Sequence, residues 1–444
     1  MLDEARRRTR LLQSRLKEAG IDIAIFTDEA SIAYLAGFWG YLAVEFGRPT
    51  FLVIRPDDEP VVVTPLMESE MVGAMTWVER IATWEDAGAN RWENVLGRVI
   101  GDKPGVIAAE TGLMPAMVRN WFDERCPGVK LKDVSSVLGS MRMIKSPAEI
   151  EVMRQAGAIA GAMMDAAEGA LAEGAPEYEA ALAVIAAGTR KAAGFLTARG
   201  WEAFVSPMIH NLQIMQSGTD TSMVHRRASV KLLEKGDPVY FCFCNMAQFK
   251  QYKLGFDRMF FIREVGDEAA RVQQAAIDAQ AAAIAAIRPG VLAEDVAAAA
   301  AEVYGARGYA TGYRTGRSIG VSYLEAPELK AGDRTVLKPG MTFAVDGGIS
   351  VDGRLGGRIG DSIVVTDEGC DYLTDYPRRI LVVSRRAKGQ VPCAWRPSSA
   401  PLAAPASLNG WPRRNAPSKA QAMNAPISWY ARNSSCRATT WARP

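Results

Sequence analysis

"GMTFAVDGGISVDGRLGGRIGDSIVVTDEG", Gly340 to Gly369, is the stretch whose reading decides the fold. Two apolar runs, one interrupted by Asp346 and one by Asp361, are joined by Gly- and Asp-rich turns. This is the pattern of a meander of antiparallel strands. Working backwards from it, "DEAARVQQAAIDAQAAAIAAI" and "LAEDVAAAAAEVYGARG" read as two Ala-rich helices split by Pro289-Gly290, a helix stop. Further back, "KSPAEIEVMRQAGAIAGAMMDAAEGALAEG" opens a helix with Ser146 as N-cap, Pro147 in the first helical position and Glu149 closing a capping box. A second helix follows in "APEYEAALAVIAAGTRKAAGFLTARG", and the segment from Trp201 to Phe261 reads as strands and loops. Helices segregated from antiparallel strands make this an α+β domain, assigned to residues 144–383.

The N-terminal part has a different rhythm. "IDIAIF", "PTFLVIR", "EPVVVTPL", "KPGVIAAE" and "VKLKDVSS" are short strand-like runs alternating with helical segments such as "PAMVRNWFDERC". They predict a smaller three-layer α/β domain over residues 1–143. The chain closes with a basic segment rich in Pro, Ala and Ser, residues 384–444. It lacks periodicity and any Asp or Glu, and reads as a disordered tail.

The chain has 444 residues, 48% hydrophobic and 23% charged, with a formal net charge of +2. Because the tail is basic, the body before it is mildly acidic, which argues against a nucleic-acid role. No run of eighteen apolar residues appears, and the charged amphipathic start lacks the apolar centre of a signal peptide. Six cysteines without a CxxC pair fit a reducing compartment, so the expected location is cytoplasmic.

Few residues are candidates for chemistry. The chain has two histidines, His210 and His225. His225 lies in the polar segment "SGTDTSMVHRRAS", where a surface role and a general acid–base role both remain open. Asp257, in "KLGFDRMFFI", is either paired with Arg258 or aimed at a cavity. Asp346 breaks an apolar run and needs a partner or a cationic ligand; Asp361 pairs with Arg358 or caps a turn. In "VYFCFCNMAQF", alternation puts Tyr240, Cys242 and Cys244 on one face, with the two thiols poorly placed for a disulfide.

In order along the chain, "KSPAEIEVMRQAGAIAG", "SGTDTSMVH…LLEKGDPVYF", "TGRSIGVSY", "LKPGMTFAVDGG" and "GGRIGDSIVVTDEG" resemble the motifs of the creatinase/prolidase/methionine aminopeptidase superfamily. The resemblance runs over about residues 10 to 383 and implies a "pita-bread" C-terminal domain behind a smaller α/β one. Metallopeptidases of that superfamily carry five ligands (Asp, Asp, His, Glu, Glu). Their matching positions here are Cys242, Gly255, Arg317, Asp346 and Gly360, so the expectation is no metal and no cofactor. The segment "SIAYLAGFWGYLAVEFGRPTFLVI" resembles the N-terminal segment of the metal-free creatinase branch.

That resemblance implies His225 as general acid/base and Asp257 as a group gripping a nitrogen-bearing substrate. It also implies Lys330 near a carboxylate, and Phe46 and Arg48 reaching into the active site of a second copy in a homodimer. Arg317 and Asp346 complete the substrate-binding candidates. Ectoine hydrolase, another metal-free relative with a run similar to Thr315–Tyr323, makes Cys242 a candidate nucleophile. The function implied is metal-independent hydrolysis of a non-peptide C–N bond in a small carboxylate-bearing nitrogen compound. Ectoine-type ring opening and a non-catalytic binding role are the alternatives. No nucleic acid or membrane is expected as a partner.

Overall fold

The computed structural model describes residues 1–102, 105–125, 131–198, 200, 202–210, 214–310, 312 and 314–387. The tail expected over 384–444 therefore lies, from residue 388 on, outside the described residues.

The first domain is built on a six-stranded mixed sheet. Its order is Arg80–Trp84, Val61–Pro65, Phe51–Ile54, Ile23–Phe26, Ile107–Ala109, Lys132–Asp133. Period-2 alternation sorts its side chains. Ile23, Ile25, Phe51 and Val53 pack under Trp92, Leu96 and Phe122. Ala24, Phe26, Leu52 and Ile54 pack under Leu12, Leu16, Ile32 and Leu35 on the other side. Helices cover both faces, as the alternating signals predict. The edge strand Arg80–Trp84 is an addition: "RIATW" holds one aliphatic β-branched residue and stands out little from its surroundings.

The second domain carries a nine-stranded, mostly antiparallel sheet. Its main path is Glu325–Leu329, Gly316–Ser318, Thr342–Val351, Leu355–Val365, Asp257–Ile262, Pro238–Cys242, Ile214–Ser217. The opening stretch of sequence forms its longest hairpin, with Thr342 opposite Val364 and Val351 opposite Leu355. Two helix pairs cover one face. Asp267–Ala286 and Ala293–Ala306 pack on Phe343, Val345, Ile349 and Ile363. Pro147–Ala170 and Glu177–Ala198 join the core that contains Val239, Phe241 and Phe260. Packing is tight enough that a Cβ at Gly347 would stand 2.1 Å from the Ala276 carbonyl oxygen. Side chains at the intervening positions, Tyr240, Cys242, Asp257, Asp346 and Arg358, therefore turn to the opposite face.

The capping box is present: Ser146 N–H donates to Glu149 (2.8 Å) and Glu149 N–H to the Ser146 hydroxyl (3.3 Å). Glu149 also receives Arg8 at 2.8 Å and the Tyr252 hydroxyl at 2.9 Å, so the same residue ties the N-terminal helix Leu2–Glu18 to the second domain. This is a two-domain structure of a three-layer α/β unit and an α+β pita-bread unit.

Candidate active site

Register alone assembles the centre of the site. Ile214 lies opposite Cys242, Cys242 opposite Asp257, Asp257 opposite Gly360, and Gly360 opposite Asp346. Directly opposed residues share a face, so five strands contribute one row. Arg317 joins it from the next strand, opposite Ala344, two residues before Asp346.

Asp257 is the buried pivot. The Tyr240 hydroxyl donates to its Oδ2 at 3.0 Å, and Cys244 Sγ lies 3.8 Å from its Oδ1. Burial and then the negative charge of Asp346 push its carboxyl up to about 7, against the opposing pull of Arg317. Burial, followed by the charge of Asp257, also raises the Tyr240 phenol well above its usual range. Asp257 is thus an acid that exchanges its proton near neutrality.

Arg317 and Asp346 form an ion pair, and the Arg317 guanidinium stacks 4.2 Å over the Tyr323 ring. Its Nη2 lies 3.5 Å from Cys244 Sγ. Asp346 Oδ1, Arg317 Nε and the Tyr323 hydroxyl are buried without a hydrogen-bond partner in the structure, which leaves all three open to a ligand.

Two glycines at the site, Gly360 in the row and Gly255 just before it, are explained by what fills their space. A Cβ at Gly360 would stand 2.9 Å from Asp257 Oδ2 and 3.0 Å from Asp346 Oδ1, so the two carboxylates converge over the missing side chain. At Gly255 a Cβ would meet Ala344 Cβ at 2.6 Å and Arg317 Nη2 at 3.1 Å. Replacing Gly360 by Ala is expected to push both carboxylates off position and cost roughly tenfold in kcat/KM with the fold retained, by the steepness with which rate follows positioning. Steady-state kinetics alongside a melting curve checks this.

A dinuclear metal centre does not fit these residues. Two of the five positions that the resemblance matches to ligands are glycines, and a third is Arg317, a fixed positive charge that cannot ligate a cation. Among the described residues, Cys242, Cys244 and Asp257 form the group with ligand-like spacing, and two of those three donors are bonded to each other.

That bond corrects the expectation for the cysteines. Cys242 and Cys244 form a disulfide with Cα atoms 5.5 Å apart, within disulfide range. The strand ends at Cys242, and the chain turns from Phe243, whose carbonyl accepts from Met246 N–H at 3.0 Å, so the fully extended i, i+2 geometry does not apply. Cys242, proposed from sequence as a nucleophile, therefore carries no free thiol and is buried with Ile214, Tyr240 and Met259. Cys244 is the sulfur that faces Arg317.

Other expectations resolve individually. Asp257 is not paired with Arg258 through its carboxylate. Arg258 points to the opposite face and pairs with Asp361 at 2.9 Å. Asp361 also receives Arg378 and Gln280 at 3.1 Å, not Arg358, which donates to Ile349 O and Ser350 Oγ. His225 is exposed on the loop after Met223, whose carbonyl accepts from Gln216 at 2.6 Å; Gln216 lies opposite Tyr240. The histidine follows that contact by two residues along the chain. Lys330 lies just beyond the strand Glu325–Leu329 with Glu328 at 2.5 Å. Phe46 is 61% exposed and 6.2 Å from Tyr41; Arg48 is bound to Asp86 at 2.6 Å. His210 lines a separate cavity of about 640 Å³ with Trp39, Phe204, Met208 and Tyr252. The sequence reading passed over Tyr323 and Arg358 as site residues; the Tyr that ends the Thr315–Tyr323 run was the available signal for the first.

Residues 8–144 match the creatinase/prolidase N-terminal domain and residues 151–367 match metallopeptidase family M24. The agropine synthesis cyclase of Rhizobium rhizogenes is 30% identical over 386 residues, covering 82% of this chain and 94% of the relative. A probable dipeptidase PepE of Mycobacterium tuberculosis is 31% identical over 384 residues (85% and 96%), and the creatinase of a Bacillus species is 27% identical over 391 (84% and 91%). Among solved structures, the dipeptidase PepE of Mycobacterium ulcerans superposes with a TM-score of 0.72 at 26% identity, covering 86% of this chain and 99% of that one. The chain belongs to the creatinase/prolidase superfamily, metallopeptidase family M24, a family of hydrolases.

Proposed function

We propose that this chain is a metal-independent hydrolase that cleaves a non-peptide C–N bond (amidine, ureido or amide) in a small carboxylate-bearing nitrogen compound. The observation that carries this reading is an Arg317–Asp346 ion pair beside a buried, near-neutral Asp257. Two carboxylates converging over Gly360 suit an NH-rich group, held by charge-assisted hydrogen bonds. Arg317 adds fixed positive charge for the substrate's own carboxylate. His225 takes a proton from the attacking water and returns it to the departing nitrogen. Without a metal to polarise the carbon, positioning and oriented charge supply the acceleration.

Phe46 and Arg48 remain assigned to the active site of a second copy, Phe46 excluding water and Arg48 meeting a carboxylate, in a homodimer. The exposure of Phe46 supports this. A second reading, opening of a cyclic amidine or lactam, draws support from the relative that bears the name of a cyclase. The test is a panel of creatine, ectoine, hydantoic acids and N-carbamoyl amino acids, followed by ammonia or amine release. His225→Ala is expected to lose about 10²–10⁴-fold in kcat on whichever compound turns over. A variant with undiminished kcat removes His225 from the mechanism, and hydrolysis of dipeptides alone contradicts the substrate class.

A further inference from the structure

The row that carries Asp257 also carries two sulfurs, which the reading above leaves unused. Their disulfide closes a loop containing the single residue Phe243. Disulfide stabilisation by chain entropy grows with loop length, so this bond contributes little to the fold, and opening it requires no unfolding. Its significance is chemical.

The two sulfurs are not equivalent. Cys242 is 2% exposed in an apolar cluster with Ile214, Tyr240 and Met259, surroundings that disfavour a thiolate. Cys244 is half-buried, with Arg317 Nη2 at 3.5 Å and Asp257 Oδ1 at 3.8 Å. A guanidinium stabilises a thiolate, and a protonated Asp257 does not oppose it. Asp346 holds Arg317 in place from the other side.

We propose that Cys244, released from Cys242 by a dithiol reductant, is the nucleophile of this site, and that the disulfide is its protected, inactive form. The proposal rests on the functional reading above for the substrate class and for His225 as general acid/base, and replaces its direct attack by water with two steps through Cys244. The dithiol supplies two electrons and two protons to the disulfide and becomes a disulfide itself. Cys244 then gives its proton to solvent and remains as a thiolate beside Arg317. Its sulfur attacks the sp² carbon, forming a C–S bond and moving the π pair onto the attached heteroatom. Collapse expels the nitrogen, which takes a proton from His225. Neutral His225 then takes a proton from water as its oxygen attacks the same carbon. The C–S bond breaks, and the thiolate and protonated His225 are restored. The net reaction is hydrolysis without net oxidation or reduction.

The experiment treats the full chain with and without dithiothreitol, labels it with iodoacetamide at several pH values and maps each cysteine by peptide mass. Without reductant neither Cys244 nor Cys242 labels. With reductant, Cys244 labels about tenfold faster than Cys242 at neutral pH, by the ordinary effect of a neighbouring cation on a thiol, and Arg317→Gln removes the difference. Cys242→Ser leaves Cys244 labelling without reductant. In the turnover arm, Cys244→Ser loses the reductant-dependent activity while its melting curve matches the parent. Cys244 labelling no faster than Cys242, or Cys244→Ser retaining turnover, overturns the proposal. If the reduced parent turns over nothing in the panel, the substrate reading fails, and the labelling arm alone decides whether Cys244 is the activated thiol.

Discussion

Asp257→Asn is expected to lose about 100-fold or more in kcat/KM while becoming more resistant to denaturant above neutral pH. The two effects have one cause. Burial and the neighbouring charge of Asp346 hold the carboxyl at about 7 in the folded chain, well above the ordinary range of an aspartate in an unfolded one. The sign follows directly. Below about pH 4 both states are protonated and the group contributes its full stability. Between about pH 4 and 7 the unfolded chain gives up the proton while the folded chain keeps it, so stability falls as pH rises, by on the order of a few kcal/mol in all. Arg317 and the Tyr240 hydroxyl limit that cost but do not cancel it. An Asn of the same shape cannot ionise, which flattens this part of the profile and forfeits the charge that grips an NH-rich substrate. Urea unfolding at pH 4, 6 and 8, compared with kinetics on the same preparations, checks both halves. A variant with parental activity, or a parent whose stability rises over pH 4 to 7 in step with the variant, contradicts this assignment.

Arg258→Ala has the largest expected effect on the fold. Arg258 is 1% exposed, Asp361 is fully buried, and the two are 2.9 Å apart. The guanidinium also donates to the carbonyls of Asp257, Gly360, Tyr376 and Pro377, at 2.7, 2.8, 3.0 and 3.0 Å. Two of those carbonyls belong to Asp257 and Gly360, in the row at the candidate site. Removing one partner of a buried pair costs about 3–5 kcal/mol, because the remaining charge and the orphaned acceptors have no water to turn to. Arg378, Gln280 and Thr374 still bind Asp361, which keeps the loss towards the lower part of that range. Arg258→Lys restores the charge but not the fork, and should recover only part of the stability. Chemical denaturation of the three proteins measures the difference.

Much of this architecture was legible in the chain because its signals are local. Ser146-Pro147 with Glu149 marks a helix start whatever lies around it, and Pro289-Gly290 a helix stop. The Gly340–Gly369 stretch is a hairpin by its turn residues and alternation. The strand Arg80–Trp84 is faint in the sequence because its edge position needs little hydrophobicity. The site was legible by residue but not by partnership. Arg258 and Arg358 are both candidates for Asp361 in the sequence. Only the pleat, which sends Arg258 to one face and Arg358 to the other, decides between them. The disulfide was misread for a related reason: alternation describes a strand, and the strand stops at Cys242. Gly255 and Gly360 read as losses, and the structure shows them as space taken by Arg317 and by two carboxylates.

The central proposal is that hydrolysis at this site runs without a metal ion, with Arg317 supplying fixed positive charge. Its most direct test is metal analysis of the purified chain together with turnover of its substrate before and after exhaustive chelation. The account predicts substoichiometric transition metal and a rate that chelation leaves unchanged. A tightly bound stoichiometric metal, whose removal abolishes turnover and whose return restores it, would contradict the account.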